Sequence, residues 1–454
     1  MKPIRLFLLC AAIASATHLL AQTSESGYFT DGFLYRYQLN PAIANEQSFF
    51  AFPAIGNIDM ALTGSLSLSD FIYNVDGKTT TFMNPAVSTQ EFMSNIKDKN
   101  RIGTDLNLAL LAIGFKGMGG YNTIGVNLRT NTDISVPGAL FSLLKEGIEN
   151  KSYDLTNFDI YASAWAEIAL GHSHRINDHL RIGATLKALI GGGDISAKFR
   201  NATLTLADDS WNIKADEYIN ASIKGLQYEE SYNDRTKRNY VDNASIDGAG
   251  IGGYGGAVDL GVEYRLNRDW SFSISVTDLG FINWSNNMVA STNGEQSVNT
   301  SDYIFNVDSD ADNSFSNEWH EIRDKLSLIY QLENNGDMGS RTTMLATTLH
   351  AAIDYTIPGC NRLSFGLLNT TRLNNGFNYT NFRISANYAP SRTVSMGING
   401  AYGTFGAAFG WIINLHPPGF NLFLASDCTP FRLAKQGIPL SANTRLNIGI
   451  NFPL

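Results

Sequence analysis

The sequence has little cysteine and no long apolar stretch beyond its first twenty residues. It contains 3 cysteines in 454 residues, and Cys10 lies within the N-terminal apolar run. Past residue 22, no stretch approaches the roughly 20 apolar residues that a transmembrane helix needs. Hydrophobic residues nevertheless make up 44% of the chain. Any membrane span of the mature chain must therefore be made of strands.

Charge and catalytic motifs are also scarce. Charged residues make up 17% of the chain, the formal net charge is -9, and no basic stripe is present. This excludes a nucleic-acid partner. The chain has no G-x-S-x-G, no H-E-x-x-H and no paired-carboxylate signature. We therefore expect neither an enzyme nor a cofactor.

The first 21 residues have the pattern of a secretory signal peptide. Lys2 and Arg5 precede an apolar run that reaches Leu20, and Ala21 precedes the polar Gln22. We expect cleavage and secretion. A lipoprotein is the alternative, but Cys10 lies inside the apolar run instead of after it.

Period-two alternation indicates strands along most of the mature chain. Apolar and polar residues alternate from Ala257 to Arg265 and again from Trp270 to Thr277, with a polar turn between them, which predicts a β-hairpin. A soluble sandwich is the alternative. The segments run to ten or twelve residues, however, whereas strands average five or six. Many also carry an aromatic residue near one end, as transmembrane barrel strands do.

The connections between these segments alternate between short and long, as in barrels with short periplasmic turns and long external loops. The sequence therefore predicts an all-β fold, a transmembrane antiparallel β-barrel of about 14 strands. The number rises to 16 if residues 202–206 and 211–223 pair as a further hairpin. Short helices are expected in the long loops, one opened by Pro137 with Leu140, Leu143, Leu144 and Ile148 on one side, and one over residues 319–330.

Residues 33–58 carry too much apolar surface for a solvated tail and are expected to lie inside or against the barrel. The predicted organisation is a signal peptide (1–21), an N-terminal hatch (22–58) and the barrel (59–454). Within the hatch, Asn40-Pro41-Ala42 resembles the N-terminal signature of the FadL-like transporter superfamily and its Bacteroidota relatives, which include PorV and PorP/SprF-type barrels. The segment Val258–Trp284 is similar to a branch of these relatives whose function is unknown.

The resemblance implies an outer-membrane barrel of a Gram-negative cell with a hatch in its lumen, in contact with outer-membrane lipid. It implies a channel or transporter for small hydrophobic molecules. The alternative is a non-transporting barrel that anchors or assembles secreted surface proteins. Only Asn40, Pro41 and Ala42 carry over by motif.

The polar faces of the strands place charged residues opposite lipid, where we expect them to pair or to meet water. These lumen-facing candidates are Asp159, Glu167, Arg181, Lys187, Asp259, Glu263, Arg265, Asp354, Arg383 and Arg445.

Other patterns are weaker. Asp308, Asp310 and Asp312 resemble the start of a calcium loop, but Asn313 replaces the glycine and no acid stands at the bidentate position, which favours a solvated loop. The glycines of 248–253 fit G-x-G-x-x-G without the strand before and the helix after. Three histidines, His172, His174 and His179, lack an acidic or cysteine partner, and a polar turn is favoured over a metal site. Cys360 and Cys428 are expected at opposite ends of the barrel, too far apart to pair.

Overall fold

The computed structural model describes residues 25–45, 47–51, 53, 55–146, 149–207, 211–234, 236–292, 294–299, 331–374, 376–428 and 443–454. The predicted signal peptide, Ile148, the 319–330 helix and the aspartates Asp308, Asp310 and Asp312 lie outside these residues. None of the described helices has the length and hydropathy that a membrane span needs.

Strands dominate the described chain. In chain order they are β1 (Phe49–Ala51), β2 (Ile58–Gly64), β3 (Ile72–Val75), β4 (Lys78–Thr81), β5 (Lys99–Gly117), β6 (Gly120–Pro137), β7 (Ser152–Asp154), β8 (Asp159–Arg175), β9 (Leu180–Leu206), β10 (Trp211–Ile223), β11 (Leu226–Asn233), β12 (Arg238–Ile246), β13 (Gly253–Arg265), β14 (Trp270–Trp284), β15 (Met288–Ser291), β16 (Gln296–Asn299), β17 (Glu333–Asp337), β18 (Arg341–Met344), β19 (Thr347–Ile357), β20 (Cys360–Leu373), β21 (Tyr379–Ser391), β22 (Val394–Gly403), β23 (Gly406–Leu415), β24 (Asn421–Cys428) and β25 (Thr444–Pro453).

The main sheet closes on itself as a 14-stranded antiparallel barrel, which confirms the predicted fold. Starting from β1 and β2, which together form one strand, the wall runs through β5, β6, β8, β9, β13, β14 and β19 to β25, and β25 pairs back with β1 and β2. Closure leaves no free edge in the wall.

Short turns join the strands at one end of the barrel. At the other end most connections are long, except the tight turn between β22 and β23 and the five-residue link between β20 and β21. We call these the short-turn end and the long-loop end. Residues 202–206 and 211–223 pair in the hairpin of β9 and β10, the condition under which 16 strands were expected, but the expected rise in strand number does not follow. That hairpin extends the wall beyond the long-loop end, together with β7 and β15 to β17. It therefore adds height and leaves the strand number of the barrel at 14.

Helices are short and lie mainly in the long loops. They are α1 (Thr89–Met93) and α2 (Gly138–Glu146), with single 3-10 turns at Glu25–Gly27, Leu34–Gln38 and Leu68–Asp70. As predicted, α2 begins directly after Pro137. The predicted contact face is wrong in one respect, because Leu144 is exposed and Phe141 packs against Phe92 and Phe71. Phe141 therefore fills the core of the loop in place of the predicted Leu144.

The first strand of the wall is interrupted. Phe49–Ala51 and Ile58–Gly64 both pair with β5 and β25, and the chain leaves the sheet between them. Residues 49–51, assigned from the sequence to the hatch, are thus part of the wall. Hydrogen bonds from Ala109 N to Asn57 O (2.9 Å) and from Ile450 N to Ile55 O (2.9 Å) close the interruption.

The alternation sorts side chains as the sequence indicates. On β13 and β14 the large apolar side chains, such as Leu260 and Ile274, are exposed on the outer face. The intervening polar residues, such as Asp259 and Ser275, are buried on the inner face. An outer apolar belt with a polar interior is the pattern of a barrel that spans a membrane.

We predict that Leu260→Arg lowers the free energy of unfolding of the vesicle-inserted barrel by about 2 to 4 kcal/mol, because the charge lies near the middle of the apolar belt. Denaturant titration in lipid vesicles measures this. Leu266→Arg, the same change in an exposed turn residue at the short-turn end, is the control and should cost at most about 1 kcal/mol. Equal losses in the two variants would place Leu260 outside the apolar belt.

Candidate functional site in the barrel interior

The N-terminal residues 25–45, here called the hatch segment, pack inside the barrel. Their aromatic side chains form a buried cluster with the wall, in which Phe33 meets Phe423 edge to face at 4.9 Å and Tyr35 meets Phe49 at 6.0 Å. Tyr35 Oη also donates to Asn451 Oδ1 at 2.8 Å. Burial of this apolar surface holds the segment in the lumen.

Asn40, Pro41 and Ala42 lie against strands β8, β9 and β13. The Asn40 side chain is fully buried, donating to Tyr28 Oη (3.3 Å) and Val262 O (3.4 Å), while its Oδ1 accepts from Ala42 N (2.9 Å). Ser173 Oγ donates to Ala42 O at 2.7 Å. The motif thus folds a tight turn and seats it on the wall.

Small polar side chains of the wall hold further carbonyl groups of the hatch segment. Ser275 Oγ donates to Leu39 O at 2.7 Å, and Ser395 Oγ donates to Asp31 O at 2.5 Å. Asn421 Nδ2 donates to Gly32 O at 3.2 Å. Sequence reasoning missed these anchors, although they occupy inward positions of predicted strands, because serine and asparagine are also ordinary lumen residues.

Glu25 is the ionic latch at the inner end of the hatch segment. Its carboxylate lies 3.2 Å from Arg383 Nη2 and 3.6 Å from Arg445 Nη1, two of the predicted lumen residues, and Arg383 also pairs with Asp427 at 2.9 Å. Burial alone would raise the pKa of the Glu25 carboxyl, but the charges of Arg445 and Arg383 outweigh burial and lower it to about 2. Glu25 is therefore ionised at neutral pH.

A second charged cluster crosses the lumen beyond the hatch segment, and we call it the ionic septum. Arg129 binds both carboxylate oxygens of Asp278 (2.8 and 2.9 Å) and reaches Glu167 at 3.2 Å. Lys187 lies 2.6 Å from Asp278 and 2.8 Å from Asp259. All five side chains are at most 9% exposed, so each charge depends on the others for solvation.

Asp278 reaches the septum through a β-bulge. The register of β13 against β14 shifts between Val258 and Leu260, and Asp278 has φ +59°, in the left-handed region that non-glycine residues rarely adopt. Strict alternation after Thr277 would turn Asp278 toward lipid. The bulge turns it inward, where its backbone N–H donates to Asp259 Oδ1 at 2.7 Å. The sequence-based prediction included Glu167, Lys187 and Asp259 but missed Arg129 and Asp278. The available signal for Asp278 was that strict alternation would place its carboxylate against lipid.

The other predicted lumen residues lie toward the two ends of the barrel. Arg181 pairs with Glu263 at 3.5 Å, and Arg265 reaches the same carboxylate at 3.3 Å near the short turns. Asp354 lines the open space at that end, and Asp159 pairs with Lys99 at 3.2 Å near the long loops. The ten residues therefore belong to separate groups.

Three of the spaces in the described interior lie at successive heights along the lumen. A vestibule of about 1000 Å³ opens at the short-turn end and is lined by Arg36, Glu263 and Asp354, among others. A small cavity of about 50 Å³ lies between the hatch segment at Tyr37–Leu39 and the ionic septum. A chamber of about 350 Å³ lies at the long-loop end. The hatch segment and the septum are therefore two barriers in series.

The weaker sequence patterns have structural roles where they are described. His172 Nδ1 lies 2.9 Å from Asn122 Oδ1, and His179 Nδ1 lies 2.6 Å from Arg265 O. Within the described ranges no group of histidine, cysteine, aspartate and glutamate is placed to hold a metal ion. The glycines of 248–253 connect β12 to β13. Cys360 is free and exposed at the start of β20.

The fold and its filled interior define a class of protein, a closed 14-stranded antiparallel barrel with its N-terminal segment in the lumen. The chain belongs to DUF5723, a family of unknown function that matches residues 41–427.

Among solved structures, the chain is similar to the toluene transporter TbuX of Ralstonia pickettii, at 8% identity over 92% of each chain with a TM-score of 0.41. It is also similar to the toluene transporter TodX of P. putida, at 9% identity over 91% of this chain and 92% of that chain with a TM-score of 0.41. The comparison with curated proteins gives no match. What those transporters carry says nothing about the ligand of this chain.

We predict that Gly183→Ala displaces the hatch segment, because a Cβ at this position would lie 2.1 Å from Pro41 O. The backbone amides of residues 39, 40, 42 and 43 should then exchange hydrogen faster than in the wild type. Gly125→Ala, also on the inner face, is the control, since its Cβ would meet its nearest neighbour at an ordinary 3.6 Å. Unchanged exchange in the Gly183 variant would mean that the motif does not pack against β9 in solution.

The Glu25 latch gives a pH dependence. Because the folded pKa of about 2 lies below the ordinary value of 4.5, the latch stabilises hatch docking fully above pH 4.5 and is lost as pH falls toward 2. Hydrogen exchange of residues 26–30 should therefore be protected at pH 7, and Glu25→Gln should accelerate it about ten-fold. Glu229→Gln, at an exposed position on β11, is the control. If residues 26–30 of the Glu25→Gln variant exchange hydrogen at the wild-type rate at pH 7, the latch is ruled out.

Proposed function

We propose that this protein is an outer-membrane channel for small, largely hydrophobic molecules, closed at rest by the hatch segment. The observation that carries the proposal is how the hatch segment is attached. Among the described residues, no part of 25–45 pairs with a wall strand. It is held by side chains such as Ser173, Ser275 and Arg383, so it can leave the lumen while every strand pairing of the wall stays intact.

The outer face supports a membrane location. Its exposed side chains are large and apolar along the middle of the strands, and aromatic residues lie toward the strand ends, for example Tyr264, Trp270 and Tyr402. Amphipathic rings prefer the headgroup level of a bilayer. The short-turn end, where the chain leaves the hatch segment and joins the wall at Phe49, is assigned to the periplasm and the long-loop end to the exterior.

The spaces along the lumen support passage of a small molecule. The exterior chamber has the volume of an ordinary ligand pocket, which runs from about 300 to 1,000 Å³. The polar vestibule offers an exit toward the periplasm. Transport requires both barriers to move, and the septum has a strained element, Asp278, at which such a movement would begin.

The alternative is a barrel that anchors or assembles secreted surface proteins. The observation in its favour is the filling of the lumen, where Trp165, Leu189 and Trp284 pack above the septum in addition to its charges. A scaffold needs no pore, and a wall extended by β9 and β10 gives it an external surface.

Conductance in planar bilayers tests the channel. We predict that deletion of residues 30–45 or Arg129→Ser alone leaves conductance low, because the remaining barrier still blocks the lumen. Their combination should raise conductance well above either single change. Arg392→Ser, at an exposed short turn and outside the lining of the vestibule, is the control for loss of an arginine.

Heat-modifiable mobility on denaturing gels verifies that each variant is a folded barrel. Low conductance of the folded double variant, together with loss of proteins from the surface of cells that carry it, would replace the channel with the assembly function.

A further inference from the structure

The exterior chamber has an unusual charge arrangement for a protein with a net charge of -9. Four cationic side chains line it, from Lys99, Lys198, Arg200 and Arg341. Two of these cations are neutralised, since Lys99 pairs with Asp159 and Arg341 pairs with the buried Asp194. The chamber therefore has one part in which the cations are neutralised and another part in which they are not.

Lys198 and Arg200 provide the remaining positive charge. They occupy alternate positions on β9, both are exposed, and both face the chamber. In the portion of the chain that the structure covers, neither forms an ion pair with an acidic side chain. Asp133 is the remaining acid of the chamber wall; it is held by Asn374 on the side of β6. The two β9 cations are thus available to a ligand.

Aromatic side chains surround these cations. The Arg200 guanidinium lies 4.3 Å from the centre of the Tyr218 ring, and Tyr161 and Phe377 also line the chamber. A guanidinium stacked on a ring keeps its N–H groups free at the edge for a carboxylate. The flat rings offer apolar contact to the remainder of a ligand.

The chamber is also short. Toward the middle of the barrel, Arg372 forms two 2.7 Å hydrogen bonds with Asp105, and beyond that pair lies the ionic septum. A ligand that enters from the exterior is confined to about 350 Å³, which suits a compact molecule better than an extended chain.

We propose that the exterior chamber binds a small aromatic carboxylate, with the carboxylate held by Lys198 and Arg200 and the ring packed against Tyr218 and Phe377. This rests on the function proposed above, because it names the ligand class that the channel would admit. It refines that function from a hydrophobic molecule to one with a single anionic group.

Calorimetric titration of the full-length purified protein with benzoate tests the site, with benzyl alcohol as the uncharged probe, palmitate as the extended one and inorganic phosphate as the anion without a ring. We expect benzoate to bind best. The double variant Lys198→Gln, Arg200→Gln should weaken benzoate binding about ten-fold or more, because two charge-assisted contacts are lost. The control is Lys214→Gln, a half-exposed lysine on β10 that pairs with Glu295 outside the chamber.

Equal binding of benzoate and benzyl alcohol, or unchanged benzoate binding in the double variant with its barrel intact by heat-modifiable mobility, would overturn the proposal. Stronger binding of palmitate or of phosphate than of benzoate would overturn it as well. Benzoate binding in a protein that never conducts would leave this site standing and defeat the channel. If the barrier variants conduct but show no preference for an anion, the channel stands and the proposed carboxylate site is defeated.

Discussion

The interior depends on one constraint, that a charge inside the barrel has little water and must be neutralised by another side chain. The contact between Arg129 and Asp278 meets it across the lumen, from β6 to β14. Removing either partner would leave a buried charge, which costs more than the pair contributes when intact. The bulge at Asp278 and the positions of Lys187 and Glu167 all follow from completing this group.

The same constraint explains why the hatch segment is part of the stable structure. The buried Arg383 needs Glu25 in addition to Asp427, so a wall without the hatch segment would lack one of its counter-charges. The hatch segment is thus coupled electrostatically to the strands β21, β24 and β25. Barrier and wall stabilise each other, which is what a channel needs if its closed state is to be the resting state.

The sequence predicts the wall well because alternation and connection length are local properties. Leu260 and Asp259 lie on the faces that their order indicates, and the strand number follows from counting turns. The sequence predicts the interior less well, because ion pairs there join residues that are far apart in the chain and show no regular spacing. Arg129 and Asp278 are 149 residues apart, and a bulge reversed the face that alternation gives to Asp278. For the 10 candidate lumen residues the structure gives positions only. Their role in transport stays a proposal that experiment must test.

The pairing of β1 and β2 with β25 joins the two ends of the chain, and this has a consequence for the order of folding. Ser26 contacts Asp427 and Tyr35 contacts Asn451, across 401 and 416 residues. Contacts of such separation form only after nearly the whole chain has been synthesised, and the entropy of closing so large a loop slows them. The hatch segment is synthesised early but is among the last parts of the chain to dock. The barrel must therefore enclose it when β25 pairs with β1 and β2. Until then the aromatic residues of the hatch segment are exposed, and a chaperone that shields them would govern the yield of closed barrel.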